Sequence, residues 1–335
     1  MAQKSVLILR CGALGDLVYS TSVIDALRLE YGEETIIDYV CTPGSATLFN
    51  EDTRINKVFT LKHKKIPILF SKEKKTIINY SKKKPYDVLI NFEFGKQFKS
   101  LLKNIDAKEK FGAIFNEIIE DKTINRGEMQ KKFLKSVVKQ SNLDKSFPKV
   151  AIKNFKSIQK KYQLDDNYIV LSPSNSHIKR SGINYRAWQN SSWIELINLL
   201  SQKNQVVLVG AKGEEDFFEN FKPYPNNTID LVGKNNVTEL CTVIKYAKAT
   251  VCTDSAVGHI SAATDTPVFV LMGPNDTTTD SPYKSLTNEI NIISLNLECS
   301  PCYKTKTMKN CKDNICMKNI TAKYVFNSIC KSLYP

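Results

Sequence analysis

Residues 250–276 read TVCTDSAVGHISAATDTPVFVLMGPND. A short apolar strand ends at Asp254, a helix follows that opens with small residues, and a second apolar strand stops at Gly273. Strand, small-residue turn, helix and strand predict an α/β crossover, and therefore an α/β fold. The backbone amides at the start of the helix can face an anion, so the stretch also predicts a phosphate site. On its own it indicates a nucleotide-binding α/β protein and no more.

The N-terminus carries the second informative pattern. Val6–Leu29 reads VLILRCGALGDLVYSTSVIDALRL, in which a strand leads through a turn containing Gly12 and Gly15 into a helix. Glycines let the backbone come close to a ligand, and open α/β sheets bind ligands at the carboxyl ends of their strands. Asp16 stands at that point. It either acts on a ligand there or does no more than cap the helix Leu17–Glu30.

The two stretches resemble glycosyltransferase family 9, the ADP-heptose heptosyltransferases. Thr250–Asp276 is similar to the family signature TDSG-x-x-H-L-A-A…TP…GPTDP, and the N-terminus is very close to the family's opening I-x-R-x-x-x-x-GD. Ser281–Tyr283 is similar to the family's G-P-Y-G, and Cys299–Cys302 matches the CSPC of many members. Two long motifs at opposite ends of the chain, in the expected order, make this a specific resemblance.

The resemblance implies the GT-B fold, in which two Rossmann-like domains face each other across a cleft that holds the active site. It covers most of residues 4–30 and 168–330 and leaves roughly 45–150 unassigned. It also implies that the last helix packs back on the N-terminal domain. The predicted organisation is an acceptor-binding domain over residues 1–152, a polar linker over 153–166, a donor-nucleotide-binding domain over 167–320 and the C-terminal helix over 321–335.

Glycosyl transfer needs a base for the acceptor hydroxyl and positive potential for the departing diphosphate. The resemblance makes Asp16 the catalytic base of an inverting transfer and puts Gly12, Gly15 and Tyr19 on the acceptor side. Tyr19 and Ser22 stand where His and Pro are common in the family, which leaves the choice of acceptor open.

The resemblance assigns the donor-phosphate site to Asp254, Ser255, Ala256, Val257 and His259. The amides of residues 255–257 are expected to point at the diphosphate, and Ala256 replaces the usual glycine. The alternative is an ordinary crossover helix, with Asp254 as its N-cap and His259 as a packed histidine.

In the family, the pattern P-G-A…K-R-W precedes a helix and contains the cation that binds the phosphates. Counting back from Trp193–Leu200 aligns Arg186–Trp188 with K-R-W and makes Ser176–Asn184 an insertion. Arg186 is therefore the predicted phosphate cation, because its fork binds phosphate oxygens bidentately, and Lys179 is the second candidate. The alternative is an exposed arginine.

Residues 210–215 resemble the family's G-x-x-x-E-E, in which a glutamate binds the donor ribose, and Glu214 is the better positional match. The alternative is a pair of exposed glutamates favoured by the dipole at the start of a helix.

Four cysteines lie in a loop over residues 299–316: Cys299, Cys302, Cys311 and Cys316. Their spacing suits a tetrahedral metal site, and five nearby lysines are expected to favour thiolates. A similar four-cysteine finger in a subset of the family implies a structural Zn or Fe ion, with no catalytic metal. The alternative is four reduced thiols in a compact loop.

The net charge is +14, and Lys57–Lys84 holds ten lysines against one acidic residue. This stretch is either a solvated lysine-rich surface or a patch that faces an anionic membrane. No apolar run reaches the ~20 residues that cross a bilayer, and no signal-peptide layout is present. Nine cysteines without an export signal predict reduced thiols in a cytoplasmic protein. The acceptor that the resemblance implies, together with the basic stretch, places it peripherally at the inner membrane.

The predicted function is transfer of heptose from ADP-heptose to the inner core of lipopolysaccharide or lipooligosaccharide. A protein acceptor, such as an autotransporter adhesin, is the first alternative. A non-catalytic nucleotide- or nucleic-acid-binding module is the second, although no nucleic acid is expected as a partner. A NAD-dependent enzyme is disfavoured because the N-terminal turn lacks G-x-G-x-x-G.

Overall fold

The computed structural model describes residues 3–63, 71–116, 121, 123–178 and 182–334. Contacts between residues divide the chain into two compact units, Met1–Ala151 and Ile152–Pro335. No helix in the described ranges is both long and apolar enough to span a membrane.

The first unit is built on a five-stranded parallel sheet. Its apolar runs Ser5–Leu9 and Ile36–Cys41 form adjacent strands that are buried almost throughout. The strands are β1 (Ser5–Leu9), β2 (Ile36–Cys41), β3 (Lys57–Thr60), β4 (Tyr86–Asn91) and β5 (Ala107–Gly112), in the order β3-β2-β1-β4-β5. The helices are α1 (Leu14–Tyr31), α2 (Lys72–Lys83), α3 (Lys99–Asn104), α4 (Arg126–Lys132) and α5 (Gln140–Asp144).

The second unit is built on a six-stranded parallel sheet. The strands are β6 (Tyr168–Ser172), β7 (Gln205–Leu208), β8 (Thr228–Asp230), β9 (Ala249–Thr253), β10 (Val268–Leu271) and β11 (Ile290–Ile293), in the order β11-β10-β9-β6-β7-β8. The helices are α6 (Phe155–Tyr162), α7 (Asn190–Ser201), α8 (Glu215–Phe218), α9 (Val237–Lys245), α10 (Ala256–Ala263), α11 (Lys306–Lys309), α12 (Ile315–Lys318) and α13 (Ala322–Leu333).

Each sheet reverses its winding direction at one place. The chain of the first unit runs outward from β1 through β2 to β3 and then returns to the other side of β1 as β4. The second unit repeats this with β6, β7 and β8, followed by β9 on the other side of β6. Open α/β sheets bind ligands where the strand order reverses, beyond the carboxyl ends of the strands. The two expected ligand positions are therefore the ends of β1 and β4 and the ends of β6 and β9.

The stretch predicted as a linker is largely a helix of the second unit. Asn154 caps α6 by accepting a hydrogen bond from the backbone of Ser157, and Ile158 is buried. Phe155 stacks on Tyr246 with ring centroids 4.1 Å apart. Apolar contacts therefore join this helix to the second unit, although its polar, lysine-rich composition predicts a linker between the two domains.

The C-terminal helix begins where the sequence predicts, because the side chain of Thr321 accepts a hydrogen bond from the backbone of Tyr324. Val325 and Ile329 are buried in one apolar cluster with Trp193 and Leu196 of α7. The buried face of this helix thus lies in the core of the second unit, and its packing on the N-terminal domain stays a prediction.

Candidate active site

Two acidic residues converge on one arginine where the first sheet reverses. Arg10 follows β1, and its guanidinium contacts Oδ1 of Asp16 at 2.9 Å and Oε1 of Glu93 at 3.2 Å. Glu93 follows β4, which pairs with β1, so the two strand ends bring these side chains together. Glu93 Oε1 also accepts the backbone N–H of Cys11 at 2.8 Å. One carboxylate therefore fixes both the turn and the arginine.

The ionisation of this cluster is set by burial and by charge. Burial by itself disfavours the charged guanidinium, but the carboxylates of Asp16 and Glu93 outweigh it and raise the pKa of Arg10 above its ordinary value. Burial, with help from Glu93, raises the pKa of the Cys11 thiol. Cys11 is thus a neutral packed thiol, and Asp16 and Glu93 carry the negative charge of the site.

Asp16 both caps a helix and faces outward from it. Its Oδ2 accepts the backbone N–H of Ala13 at 2.8 Å, which satisfies a donor in the first turn of α1. Its side chain is still 31% exposed. A Cβ at Gly12 would lie 2.4 Å from the Cβ of Asp16, so only glycine lets the turn close against this carboxylate. The two roles proposed for Asp16 therefore coexist geometrically.

The other predicted acceptor-side residues differ in their access. Gly15 is buried in the first turn of α1. Tyr19 is 3% exposed and lies in the buried face of the same helix. Tyr19 is thus a core residue of the first unit, whereas Gly12 and Asp16 remain partly exposed at its surface.

A second arginine lies where the second sheet reverses. Arg186 Nη1 is 3.3 Å from Oδ2 of Asp254, the residue after β9, and 3.4 Å from its carbonyl oxygen. The guanidinium carbon lies 4.5 Å from the ring centroid of Tyr303. The Arg186 side chain is only 14% exposed. The structure therefore differs from the alternative of an exposed surface arginine.

The start of α10 lies directly beside this ion pair. Ser255 is the N-cap in an extended conformation, without a side-chain capping bond, and the helix begins at Ala256. The first backbone N–H groups of a helix have no partner within it. That of Gly258 bonds to the Cys252 sulfur, so the amides of residues 255–257 are the ones that can face an anion. Ser255 and Ala256 are half-buried, Val257 is buried, and His259 is half-buried one turn further along. Small side chains thus leave the start of the helix approachable.

The remaining donor-site predictions have different outcomes. Lys179 lies outside the described residues. Glu214 is half-buried, and its Oε2 accepts the backbone N–H of Ala211 at 2.9 Å, within the loop that follows β7. Glu215 is exposed. The two glutamates therefore differ in their neighbours: Glu214 is bound into the loop after β7, and the Glu215 carboxylate lies beside Gly233 after β8.

A sequence model described as glycosyltransferase family 9 (heptosyltransferase) matches residues 123–312, which is more than half of the chain. The chain belongs to glycosyltransferase family 9. The sequence is 23% identical over 295 residues to lipopolysaccharide heptosyltransferase 3 of Escherichia coli, with 78% of this chain and 81% of that protein covered. This family 9 protein is a glycosyltransferase, as its N-terminal and phosphate-site motifs predict.

Solved structures show the same fold. A family 9 glycosyltransferase from Veillonella parvula matches with a TM-score of 0.81 at 15% identity, covering 98% of this chain and 97% of that one. Escherichia coli heptosyltransferase WaaC with ADP matches with a TM-score of 0.71 at 17% identity, covering 98% and 99%. The prediction of a GT-B fold with two Rossmann-like domains is confirmed.

The four cysteines of this glycosyltransferase do not form the predicted ligand set. Within the described ranges, no group of three or more His, Cys, Asp or Glu side chains is arranged to hold a metal ion. Burial, and then the neighbouring cysteines, raise the pKa of Cys316 to about 11, and the same causes raise the pKa of Cys302. These two are therefore thiols at neutral pH, and the lysines nearby do not make them thiolates.

Hydrogen bonds hold the cysteine loop in place. Ser300 Oγ donates to the carbonyl oxygen of Gly273 at 2.6 Å, and the backbone N–H groups of Cys302 and Tyr303 both donate to that of Pro274 at 2.9 Å. Asn314 donates to the carbonyl oxygen of Tyr185 at 3.0 Å. The loop is thereby attached to the chain that follows β10 and to the segment that carries Arg186.

Three residues of the two ion-pair clusters received no role from the sequence. Arg10 lies within the N-terminal motif, Glu93 follows the apolar run of residues 88–92, and Tyr303 lies in the cysteine loop. The usable signal for Glu93 is its position directly after an apolar strand, where ligand-binding side chains of parallel sheets are found. Nothing in the pattern around Tyr303 indicates its contact with Arg186.

Proposed function

We propose that this glycosyltransferase moves heptose from ADP-heptose to the lipopolysaccharide core, with inversion at the anomeric carbon. The observation that carries the proposal is the Arg186–Asp254 ion pair beside the first turn of α10, at the reversal of the second sheet. A guanidinium and unpaired helix amides at one sheet edge make a receptor for a diphosphate.

The donor follows from that receptor and from the relatives. A diphosphate leaving group needs positive potential that is already in place when charge develops on it. Arg186 and the amides of residues 255–257 supply this potential in the proposal, so no catalytic metal is used. Asp254 cannot donate to a phosphate while ionised, and we assign it to orienting Arg186. ADP is the nucleotide bound in the WaaC structure, which has the same fold.

Asp16 is the proposed base. Its exposed carboxylate accepts the proton of the acceptor hydroxyl as that oxygen bonds to the anomeric carbon. The bond from that carbon to the diphosphate oxygen breaks in the same step, and its electron pair leaves with ADP. One displacement from the opposite side inverts the anomeric configuration. The ion pair with Arg10 and the helix N-terminus keep Asp16 ionised and ready to accept the proton.

Lipopolysaccharide is preferred to a protein as the acceptor because a relative that is aligned with 78% of the chain, lipopolysaccharide heptosyltransferase 3, is named for it. The exposed lysines of α2 and its end also suit a phosphorylated lipid surface: Lys72, Lys75, Lys82, Lys83 and Lys84. Residues 64–70, within the basic stretch Lys57–Lys84, lie outside the described residues. We propose that the described lysines hold the enzyme at the cytoplasmic face of the inner membrane.

The test is a transfer assay with purified enzyme, ADP-heptose and heptose-deficient lipopolysaccharide core. The expected result is a mass gain of one heptose per acceptor, release of ADP, and a product whose anomeric configuration by NMR is opposite to that of the donor. UDP- and GDP-sugars serve as donor controls. Transfer to an adhesin peptide but not to the core would show that the acceptor is a protein and not lipopolysaccharide. Transfer from a UDP- or GDP-sugar alone would overturn the donor.

A further inference from the structure

Tyr303 lies in the cysteine loop, yet its ring belongs to the arginine site. Its backbone N–H donates to the carbonyl oxygen of Pro274, three residues beyond Leu271, the last residue of β10. This bond and that of Cys302 to the same oxygen bring the loop to the carboxyl edge of the second sheet. The ring faces Arg186, with the guanidinium carbon 4.5 Å from its centroid.

The phenol is fixed at its other end as well. The Tyr303 hydroxyl and Nε2 of His177 are 3.1 Å apart and share a hydrogen bond. The backbone N–H of His177 donates to Oδ1 of Asn175 at 2.9 Å, and Asn175 is buried in the loop that follows β6. Tyr303 is therefore held between the ends of β6 and β10, on either side of the Asp254 position at the end of β9.

Arg186 needs such support because its polar contacts engage one end of the guanidinium. Nη1 is the atom that contacts Asp254, through both its carboxylate and its carbonyl oxygen. Nε is buried without a hydrogen-bond partner in the part of the chain that the structure describes. An arginine on a long flexible side chain keeps one orientation when a planar group stacks on it, and a tyrosine face also attracts its charge.

We propose that Tyr303 is a positioning residue for Arg186, and that the cysteine loop serves the donor site by delivering it. This inference rests on the proposed function, in which Arg186 binds the donor diphosphate. Tyr303 then acts on ADP only through the arginine: its ring holds the guanidinium in the orientation that meets the phosphates. The hydroxyl bond to His177 sets the angle of that ring.

The experiment is a double-mutant cycle on ADP affinity, measured by calorimetry on the full-length enzyme. Tyr303→Leu removes the aromatic face, Arg186→Ala removes the cation, and a third protein carries both changes. We expect Tyr303→Leu to weaken ADP binding about five- to tenfold, in the range of a partly buried cation–π contact. In the Arg186→Ala background the same change should have no further effect, because the partner through which it acts is gone.

Three further measurements separate positioning from other roles. Tyr303→Phe keeps the ring, so its ADP affinity should stay within about threefold of that of the wild type. This variant can also be measured if the leucine variant does not fold. Adenosine, which lacks phosphate, should bind all variants equally. Tyr324→Leu, at an exposed tyrosine of α13, is the matched control and should change nothing.

The possible outcomes separate a failure of this inference from a failure of the proposed function. Equal losses from Tyr303→Leu with and without Arg186, or a loss of adenosine binding, would show that Tyr303 contacts the nucleotide itself and would overturn the inference alone. A strong effect of Arg186→Ala with none from Tyr303→Leu would do the same. If Arg186→Ala leaves the ADP affinity unchanged, the proposed donor site and the inference are both wrong.

Discussion

The two α/β units place an arginine at the same position of their sheets and surround it differently. In the first unit Arg10 is shared by Asp16 and Glu93, so carboxylates outnumber cations. In the second unit Arg186 meets the single carboxylate of Asp254 and the face of Tyr303, beside the amides that begin α10. In the proposed function the first cluster accepts a proton and the second holds an anion. The two units thus share a strand order that reverses at one place, and they differ in the neighbours of the arginine at that place.

The largest expected effect is on Asp16. Asp16→Asn keeps an oxygen that can accept the N–H of Ala13, so the helix cap and the fold should survive. We expect kcat to fall about a thousandfold, within the range for loss of a general base, with the ADP dissociation constant unchanged. Steady-state kinetics and calorimetry measure the two effects. Asp144→Asn, at an exposed carboxylate of α5, is the control.

The comparison breaks if Asp16→Asn weakens ADP binding as much as it lowers kcat. Asp16 would then belong to the anion site, and the division of labour between the two units would be wrong.

The next effect concerns Arg186. Arg186→Ala should weaken ADP binding about 10- to 100-fold, because hydrogen bonds between charged groups contribute ~1.5–3 kcal/mol. Lys179→Ala should have a smaller effect, since Arg186 is the arginine that contacts Asp254. Calorimetric titration of ADP measures both, with Arg28→Ala on α1 as a matched control. A larger loss from Lys179→Ala would refute the alignment of the insertion.

A third effect sharpens the contrast in charge. Glu93→Gln preserves an oxygen for Cys11 and Arg10 but removes one negative charge, so the guanidinium acts more strongly on Asp16. Asp16 then becomes a weaker base. The acid limb of the pH profile of kcat/KM should move to lower pH, and the plateau of kcat should fall about tenfold. KM should stay unchanged.

The control for Glu93→Gln is Glu109→Gln on the exposed side of β5, which should leave the profile in place. Disappearance of the limb would mean that it depends on Glu93 and not on Asp16, and a limb that moves to higher pH would contradict the predicted effect of the lost charge.

The sequence predicts the α/β class and the position of Arg186 because both depend on local pattern. Apolar runs make strands, and Arg186 is found by its distance from the helix at Trp193. The order of strands in a sheet is not local. Without knowing that β4 lies beside β1, the pattern cannot bring Glu93 to Arg10.

The sequence also does not predict which elements pack together, because packing partners are not local in sequence either. The spacing of Phe155, Ile158 and Tyr162 is helical and was the available signal for α6, but the lysines around it indicate a surface linker. The stripe on α13 predicts that this helix is buried and cannot say against what. Cysteine spacing likewise predicts a ligand set, whereas the described residues contain no group of three or more such side chains arranged to hold a metal ion.

The smallest expected effect tests whether a charged cluster affects activity only when it lies at the edge of the sheet where ligands bind. Asp87 lies at the opposite end of β4, where it accepts from the backbone of Ser5 and pairs with Lys108. The bond from Lys108 and those from Ser5 lower its pKa to about 2. A folded pKa below the unfolded value stabilises the fold above ~pH 4 and loses that contribution as the pH falls towards 2.

Asp87→Asn should therefore cost about 1 kcal/mol of unfolding free energy at pH 7, a figure reduced because Lys108 is mostly exposed and screened. The difference from the wild type should shrink steadily between about pH 4 and pH 2 in urea titrations, because the wild-type carboxylate takes up its proton there. Activity at pH 7 should be unchanged. A loss of kcat without a loss of stability would place Asp87 in the reaction, and the functional asymmetry between the two ends of the first sheet would disappear.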